Sequence, residues 1–75
     1  MKFLILYSTS GCHLCAEAQS IVQRTLGFSV TEVEIAEDEG LLAQYGVLIP
    51  VLKRTDTGAE LGWPFGPEEV RAFLQ

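Results

Sequence analysis

The chain contains only two cysteines, Cys12 and Cys15, and both lie where an apolar run gives way to a helical pattern. A thiol at the start of a helix meets unpaired backbone N–H groups and the positive end of the helix dipole. Both favour the thiolate over the thiol. A second thiol three residues further on lies one helical turn away on the same side, within reach of a disulfide. The pair therefore predicts a reactive dithiol at the N-terminal end of a helix.

The same pair has a structural interpretation, a disulfide that staples the fold. On the chain-entropy model, closing a four-residue loop is worth about 2 kcal/mol, compared with about 3 kcal/mol for a 15-residue loop. Small secreted domains usually carry several long-range bridges instead. A single short-range dithiol is therefore better suited to switching between its redox states than to stapling.

Hydrophobic periodicity and turn residues predict a single α/β domain over residues 1–75, with the element order β-α-β-α-β-β-α. The first three elements require a right-handed parallel crossover, and the last two strands require a hairpin. The predicted strands cover 2–7, 28–35, 47–52 and 59–62, and the predicted helices cover 13–26, a short segment ending at Gly46, and a last segment that begins at Pro67.

The first helix has an apolar face at helical spacing, and Gly27 is a natural stop after it. The residues predicted to lie on this face are Leu14, Ala18, Ile21, Val22 and Thr25.

In the second strand, Glu32 and Glu34 alternate with apolar residues, as in an edge strand that charge protects from aggregation. Phe28 and Val30 break this alternation, which predicts either a bulge or a sheet covered on both faces.

The charge balance limits the classes of partner. Ten acidic against five basic residues give a net charge of −5, which argues against nucleic acid and anionic membranes as partners. Lys2 is followed by only five apolar residues, fewer than a signal peptide needs, and no stretch approaches the roughly 18 apolar residues of a membrane span. We expect a cytoplasmic monomer, a setting in which thiols stay reduced unless they are catalytic or sensing.

Two segments, Leu6-Tyr7-Ser8-Thr9-Ser10-Gly11-Cys12-His13-Leu14-Cys15 and Tyr45-Gly46-Val47-Leu48-Ile49-Pro50-Val51-Leu52, resemble the thioredoxin superfamily. A C-x-x-C motif near a strand-helix-strand pattern is its sequence form. The match extends over essentially the whole chain and is specifically to a minimal glutaredoxin-like protein of the Cys-His-Leu-Cys type. The resemblance implies a thioredoxin-like fold with a four-stranded mixed sheet.

The resemblance also implies the chemistry. The chain would be a thiol–disulfide oxidoreductase in which Cys12 attacks the disulfide of a protein or small molecule and Cys15 resolves the mixed disulfide. Ile49–Pro50 would be a cis peptide facing the thiols, leaving the backbone of Ile49 free to pair with an extended substrate; from the residues alone, Pro50 is instead a trans proline of an edge strand. The substrate-binding residues implied are Gly11, His13, Ile49 and Pro50.

The chain departs from dithiol glutaredoxins at their glutathione contacts. Thr9 stands where those proteins often place a basic residue, and the stretch 62–66 lacks their glutathione-binding acid. The thioredoxin proton acceptor is absent too, because its position is Leu6. We therefore expect no bound cofactor, treat glutathione only as a candidate co-substrate, and leave the reductant unidentified.

Several alternatives remain open. His13 either lowers the pKa of the Cys12 thiol or is a solvent-facing residue without effect. With both cysteines it supplies too few ligands for structural zinc, so no metal site is predicted. The aromatic stretch 63–65 either covers a helix end or contacts a ligand. Two rival functions are a thioredoxin-fold binding module without turnover and a metal or iron–sulfur carrier that uses Cys12 across a dimer.

Overall fold

The computed structural model describes residues 3–75, and its elements follow the predicted order. Lys2, which belongs to the first predicted strand, lies outside the described residues. Among residues 3–75, no helix combines the length and the apolar character that crossing a bilayer requires. The elements are β1 (Leu4–Ser8), α1 (His13–Leu26), β2 (Thr31–Glu34), α2 (Glu39–Tyr45), β3 (Val51–Arg54), β4 (Glu60–Gly62) and α3 (Pro67–Phe73).

The four strands form one mixed sheet in the order β2-β1-β3-β4. Strand β1 is parallel to β2 and antiparallel to β3, and β4 is antiparallel to β3. Ser8 lies beside Glu34, and Tyr7 lies opposite Val51. The last residues of β1 and β2 and the first residue of β3 therefore share one end of the sheet, which we call the Ser8 end.

Helices cover both faces of this sheet. Leu4, Leu6 and Leu52 pack with α1 and α3 on one face, whereas Tyr7 and Val51 pack with α2 on the other. Successive side chains of a strand point to opposite faces, so β1 contributes to both apolar clusters. The sheet is covered on both faces, but Phe28 and Val30 break the alternation because they lie before β2, which begins at Thr31.

The second strand is shorter than predicted, because residues 28–30 do not join the ladder. The side chain of Gln19 in α1 binds both backbone groups of Val30: its Nε2 donates to the carbonyl at 2.9 Å, and its Oε1 accepts from the N–H at 3.2 Å. These bonds satisfy Val30 from the helix instead of from β1. Glu32 and Glu34 do lie on an edge strand, as predicted.

The predicted strand over 47–52 is wrong in its first half, since β3 begins only at Val51. The N–H groups of Leu48 and Ile49 donate to the carbonyl of Tyr45 at 2.8 and 3.1 Å, so this segment winds off the end of α2. Pro50 has no N–H to give to a ladder. The run is apolar, but its backbone bonds are those of a turn.

The predicted inner face of α1 is wrong at Leu14, whose side chain is 45% exposed. Cys15 is buried instead, together with Ala18 and Val22. Successive residues of a helix differ by about 100°, so burying Cys15 turns Leu14 outward. The stop at Gly27 is confirmed, because Gly27 takes the left-handed conformation with φ of +84°.

The aromatic stretch 63–65 contributes to packing. Phe65 is buried in the cluster between the sheet, α1 and α3, and Trp63 packs against the same cluster. Their rings meet edge to face with centroids 5.2 Å apart.

We predict that two valine truncations differ sharply in their effect on stability. Val22 is fully buried, and Val22→Ala should lower the free energy of unfolding by about 1.5–3 kcal/mol through lost burial and a residual cavity. Val47 is 96% exposed, and Val47→Ala should change it by less than about 0.5 kcal/mol. Urea unfolding at unchanged m-value measures both. Equal losses would contradict the packing described here.

Candidate active site

A tight turn links β1 to the first cysteine. The N–H of Cys12 donates to the carbonyl of Thr9 at 3.2 Å, closing a β-turn over residues 9–12. Gly11 is the third residue of this turn and has φ of +78°, a conformation that glycine adopts without strain. The turn places Cys12 at the N-cap of α1, where its sulfur accepts the N–H of Cys15 at 3.1 Å.

The two cysteines are joined in a disulfide, with their Cα atoms 5.2 Å apart. They differ in environment. Cys12 is partly exposed, whereas Cys15 is 2% exposed and lies on the inner face of α1. Solvent therefore reaches the N-terminal sulfur far more readily than the second one.

The other predicted site residues are distributed around the Ser8 end. Gly11 and His13 flank Cys12 and are exposed. Pro50 is buried directly before Val51, at the end of the sheet where β1 runs into the turn over 9–12. The peptide bond between Ile49 and Pro50 is cis.

The backbone of Ile49 is less available than the resemblance implied. Its N–H donates to the carbonyl of Tyr45, so only its C=O is left to pair with an extended substrate. Within the chain, the carbonyl of Pro50 accepts the N–H of Trp63 at 3.2 Å.

Exposed apolar side chains border the same end of the sheet. Leu14 follows the first turn of the site, and Val47 and Leu48 precede Ile49; their exposed fractions are 45%, 96% and 55%. We call these three residues the apolar rim.

Tyr45 fixes the start of the segment 46–50, which carries Val47 and Leu48 of the apolar rim. Its ring stacks on that of Tyr7, with centroids 4.3 Å apart, and its hydroxyl donates to the Glu60 carboxylate on β4. That hydrogen bond, together with burial, raises the pKa of the Tyr45 phenol above its ordinary value. The end of α2, and hence the start of the segment 46–50, is thereby fixed to the sheet.

Glu34 binds the turn from the neighbouring strand. Its Oε1 accepts the N–H of Ser10 at 2.9 Å and the Ser10 hydroxyl at 3.2 Å, and its Oε2 accepts the N–H of Ala36 at 3.0 Å. The N–H of Ala36, the Thr9 hydroxyl and the N–H of Ser10 lower the pKa of Glu34 from 4.5 to about 2. The folded state favours the ionised form of Glu34 through these hydrogen bonds. Glu34 therefore stabilises the fold above pH 4.5, and that stabilisation is lost as the pH falls towards 2.

Sequence reasoning assigned the two glutamates of β2 only to edge protection and so missed Glu34 at the site. Parallel pairing of β1 with β2 would have indicated it, since the last residue of β2 must then lie beside the turn that follows β1. Tyr45 gave no comparable signal. Its bond to Glu60 joins residues 15 positions apart.

Three of the four basic side chains that the structure describes, those of Arg24, Lys53 and Arg54, make hydrogen bonds or ion pairs, and the fourth belongs to Arg71 in α3. Lys53 and Arg54, the last two residues of β3, face Glu60 at 3.8 Å and Asp56 at 2.9 Å, and the Lys53 ammonium lies 5.9 Å from the centroid of the Tyr7 ring. Arg24 donates to Ser20 in the last turn of α1, about 18 Å along the helix from Cys12. Over residues 3–75, no three His, Cys, Asp or Glu side chains converge on a point where they could hold a metal ion.

Comparison with known proteins agrees with this architecture. The model of the family described as Glutaredoxin-like domain (DUF836) matches residues 3–75. The X-ray structure of the Northeast Structural Genomics target protein XcR50 from X. campestris is 37% identical, with 95% of this chain and 93% of that chain covered and a TM-score of 0.86.

The solution structure of protein Ne2328 from Nitrosomonas europaea is 28% identical, with 96% of this chain and 89% of that chain covered and a TM-score of 0.74. No curated protein matches the chain. The family match over residues 3–75, the Cys12–Cys15 pair and the mixed four-stranded sheet lead to one conclusion: this chain belongs to the glutaredoxin-like family and has the thioredoxin-like fold with its redox-type C-x-x-C pair.

Proposed function

We propose that the protein is a thiol–disulfide oxidoreductase that acts on the disulfide of a protein or a small molecule. The supporting observation is the asymmetry of the dithiol. Cys12 caps α1 and is partly exposed, whereas Cys15 is buried one turn further on. Unpaired N–H groups at the helix start favour the Cys12 thiolate, and the thiolate is the species that attacks a disulfide.

The proposed exchange transfers two electrons from the dithiol to the substrate. The Cys12 thiolate attacks one substrate sulfur, the substrate S–S bond breaks, and the departing thiolate takes a proton from solvent. Cys15 then loses its proton and attacks the Cys12 sulfur, which releases the second substrate thiol and forms the Cys12–Cys15 disulfide. A thiol reductant, oxidised in turn to its disulfide, restores the dithiol by the reverse steps.

The apolar rim favours a substrate with apolar residues beside its disulfide. Leu14 lies next to Cys15 in sequence, and Val47 and Leu48 lead into the Ile49–Pro50 bond at the same end of the sheet. The C=O of Ile49 would accept one hydrogen bond from an extended segment. A peptide or protein disulfide uses both features, whereas a small charged disulfide uses neither.

The first prediction concerns the nucleophile. In the reduced protein, Cys12 should react with iodoacetamide faster and at lower pH than Cys15, because Cys15 is 2% exposed. Mass mapping after brief labelling at pH 6 identifies the modified residue, and Cys15→Ser serves as the matched control that retains only Cys12. Preferential labelling of Cys15 would overturn the assignment.

The second prediction concerns the order of the steps. Cys15→Ser should trap a mixed disulfide with substrate, because the neighbouring thiol that resolves it is gone. Cys12→Ser should abolish exchange. Non-reducing electrophoresis with a peptide disulfide distinguishes the two variants. If Cys15→Ser kept full turnover with glutathione, a monothiol mechanism would replace the one proposed here.

The choice of reductant follows from charge. Glutathione carries two carboxylates and one amine, and charged partners are needed to orient it. Thr9 offers no cation, and the stretch 62–66 offers no anion for the amine. Lys53 and Arg54 already face carboxylates of the chain, those of Glu60 and Asp56.

We therefore predict weak turnover in a glutathione-coupled disulfide assay. Each missing charge-assisted hydrogen bond forgoes about 1.5–3 kcal/mol, or roughly ten- to hundredfold in affinity. The measurement compares glutathione with a dithiol reductant at equal reducing poise, with the same disulfide substrate. Efficient glutathione-driven turnover that saturates below about 1 mM, the upper range typical of KM values, would show that other residues supply these contacts.

A further inference from the structure

We propose that Glu34 is a positioning residue for Cys12, holding the turn over residues 9–12 so that the Cys12 sulfur stays at the N–H groups that open α1. Its part in disulfide exchange rests on the proposed function, but its effect on the Cys12 thiol does not.

The contacts of Glu34 tie two loops together. The carboxylate accepts the N–H and the hydroxyl of Ser10 in the turn, and the N–H of Ala36 in the loop after β2. Ser10 and Glu34 are 24 positions apart, so these bonds join the site to a different strand. One carboxylate thus satisfies three donors and fixes the turn to the edge of the sheet.

The β-turn over residues 9–12 fixes the position of the Cys12 sulfur. Its closing bond, from the N–H of Cys12 to the carbonyl of Thr9, uses the residue directly before Ser10. Cys12 is the N-cap, with extended backbone angles of φ −80° and ψ 108°, and its sulfur accepts the N–H of Cys15 at 3.1 Å. If the turn loosens, the cap residue can rotate, and the thiolate loses a hydrogen-bond donor.

When Glu34 is removed, the loss of its charge and the loss of its hydrogen bonds change the pKa of the Cys12 thiol in opposite directions. A carboxylate close to a thiolate disfavours the thiolate, so loss of its charge alone lowers the pKa of the Cys12 thiol. Loss of the turn raises that pKa, because the thiolate is no longer held at the helix start. The other titratable side chains on the elements around the turn include His13 and Glu17 in α1, Tyr7 in β1, and Glu32 in β2, which accepts the Ser8 hydroxyl at 2.8 Å; all of them stay the same in the test. The first turn of α1 has no acidic side chain.

The test measures the apparent pKa of the Cys12 thiol in reduced protein carrying Cys15→Ser. The rate of alkylation by iodoacetamide, a neutral probe, is followed from pH 5 to 10. Glu34→Ala removes all three hydrogen bonds, and we expect a raised pKa and an alkylation rate at pH 6 that falls about three- to tenfold. Glu34→Gln keeps one acceptor oxygen for Ser10 and should fall between Glu34→Ala and the parent.

Glu37→Gln is the matched control, because it removes an equal charge from an exposed residue in the loop after β2. Its alkylation rate should stay within about twofold of the parent. A lowered or unchanged pKa in both Glu34→Ala and Glu34→Gln would overturn the proposal, since the carboxylate would then act by its charge or on stability alone. If Glu34→Ala does not fold, as judged by circular dichroism, Glu34→Asp decides, because it keeps the charge on a side chain too short to hold both loops: a raised pKa supports the proposal, and an unchanged or lowered pKa overturns it.

The failure of this proposal is distinguishable from failure of the proposed function. Alkylation needs no disulfide substrate and no reductant. If the pKa of Cys12 rises as expected but the protein exchanges no disulfide, the role of Glu34 is supported and the proposed oxidoreductase function is overturned. A protein that exchanges disulfides with an unshifted thiol in the Glu34 variants would do the reverse.

Discussion

Strand β1 is the element on which the site depends, because it is hydrogen-bonded on both sides and ends at the redox motif. Its parallel pairing with β2 places Glu34 beside Ser8, and its antiparallel pairing with β3 places Val51 opposite Tyr7. Three separate stretches of sequence therefore meet at one end of the sheet. The register of a single strand thus sets the relative positions of the parts of the site.

The small size of the domain explains why apolar side chains remain exposed at this end. In a chain of 75 residues, three helices cover the two faces of the sheet, and each helix packs against only one face. The segment after Tyr45 is held by turn bonds to the Tyr45 carbonyl, so Val47 and Leu48 have no helix or strand to pack against. These two side chains are therefore left to solvent or, in the function proposed above, to the apolar part of a substrate.

Much of this architecture follows from local sequence signals. The cysteine spacing, Gly27 and the charged pattern of β2 predicted the helix, its end and the edge strand, because each depends on near neighbours. The strand predicted over 47–50 failed because of turn bonds to Tyr45, whereas two other errors fall where contacts with the rest of the fold decide. Gln19 removes Val30 from the sheet, and the placement of Cys15 on the inner face of α1 turns Leu14 outward. The role of Glu34 likewise depends on a partner 24 positions away, which no local pattern contains.

The electrostatics of the site resolve an apparent conflict in an acidic chain. A net charge of −5 disfavours a thiolate in general, yet the first turn of α1 has no acidic side chain, so the positive potential of the helix end is not offset there. Glu34 is the acid nearest the turn, but three donors already surround its carboxylate, and these lower its pKa to about 2. Backbone and hydroxyl dipoles therefore offset part of the electrostatic potential of this carboxylate at the Cys12 sulfur. A carboxylate that is hydrogen-bonded in this way can hold the turn while opposing the thiolate less than a bare carboxylate would, and this is the physical basis for our proposal that its geometric role outweighs its charge at Cys12.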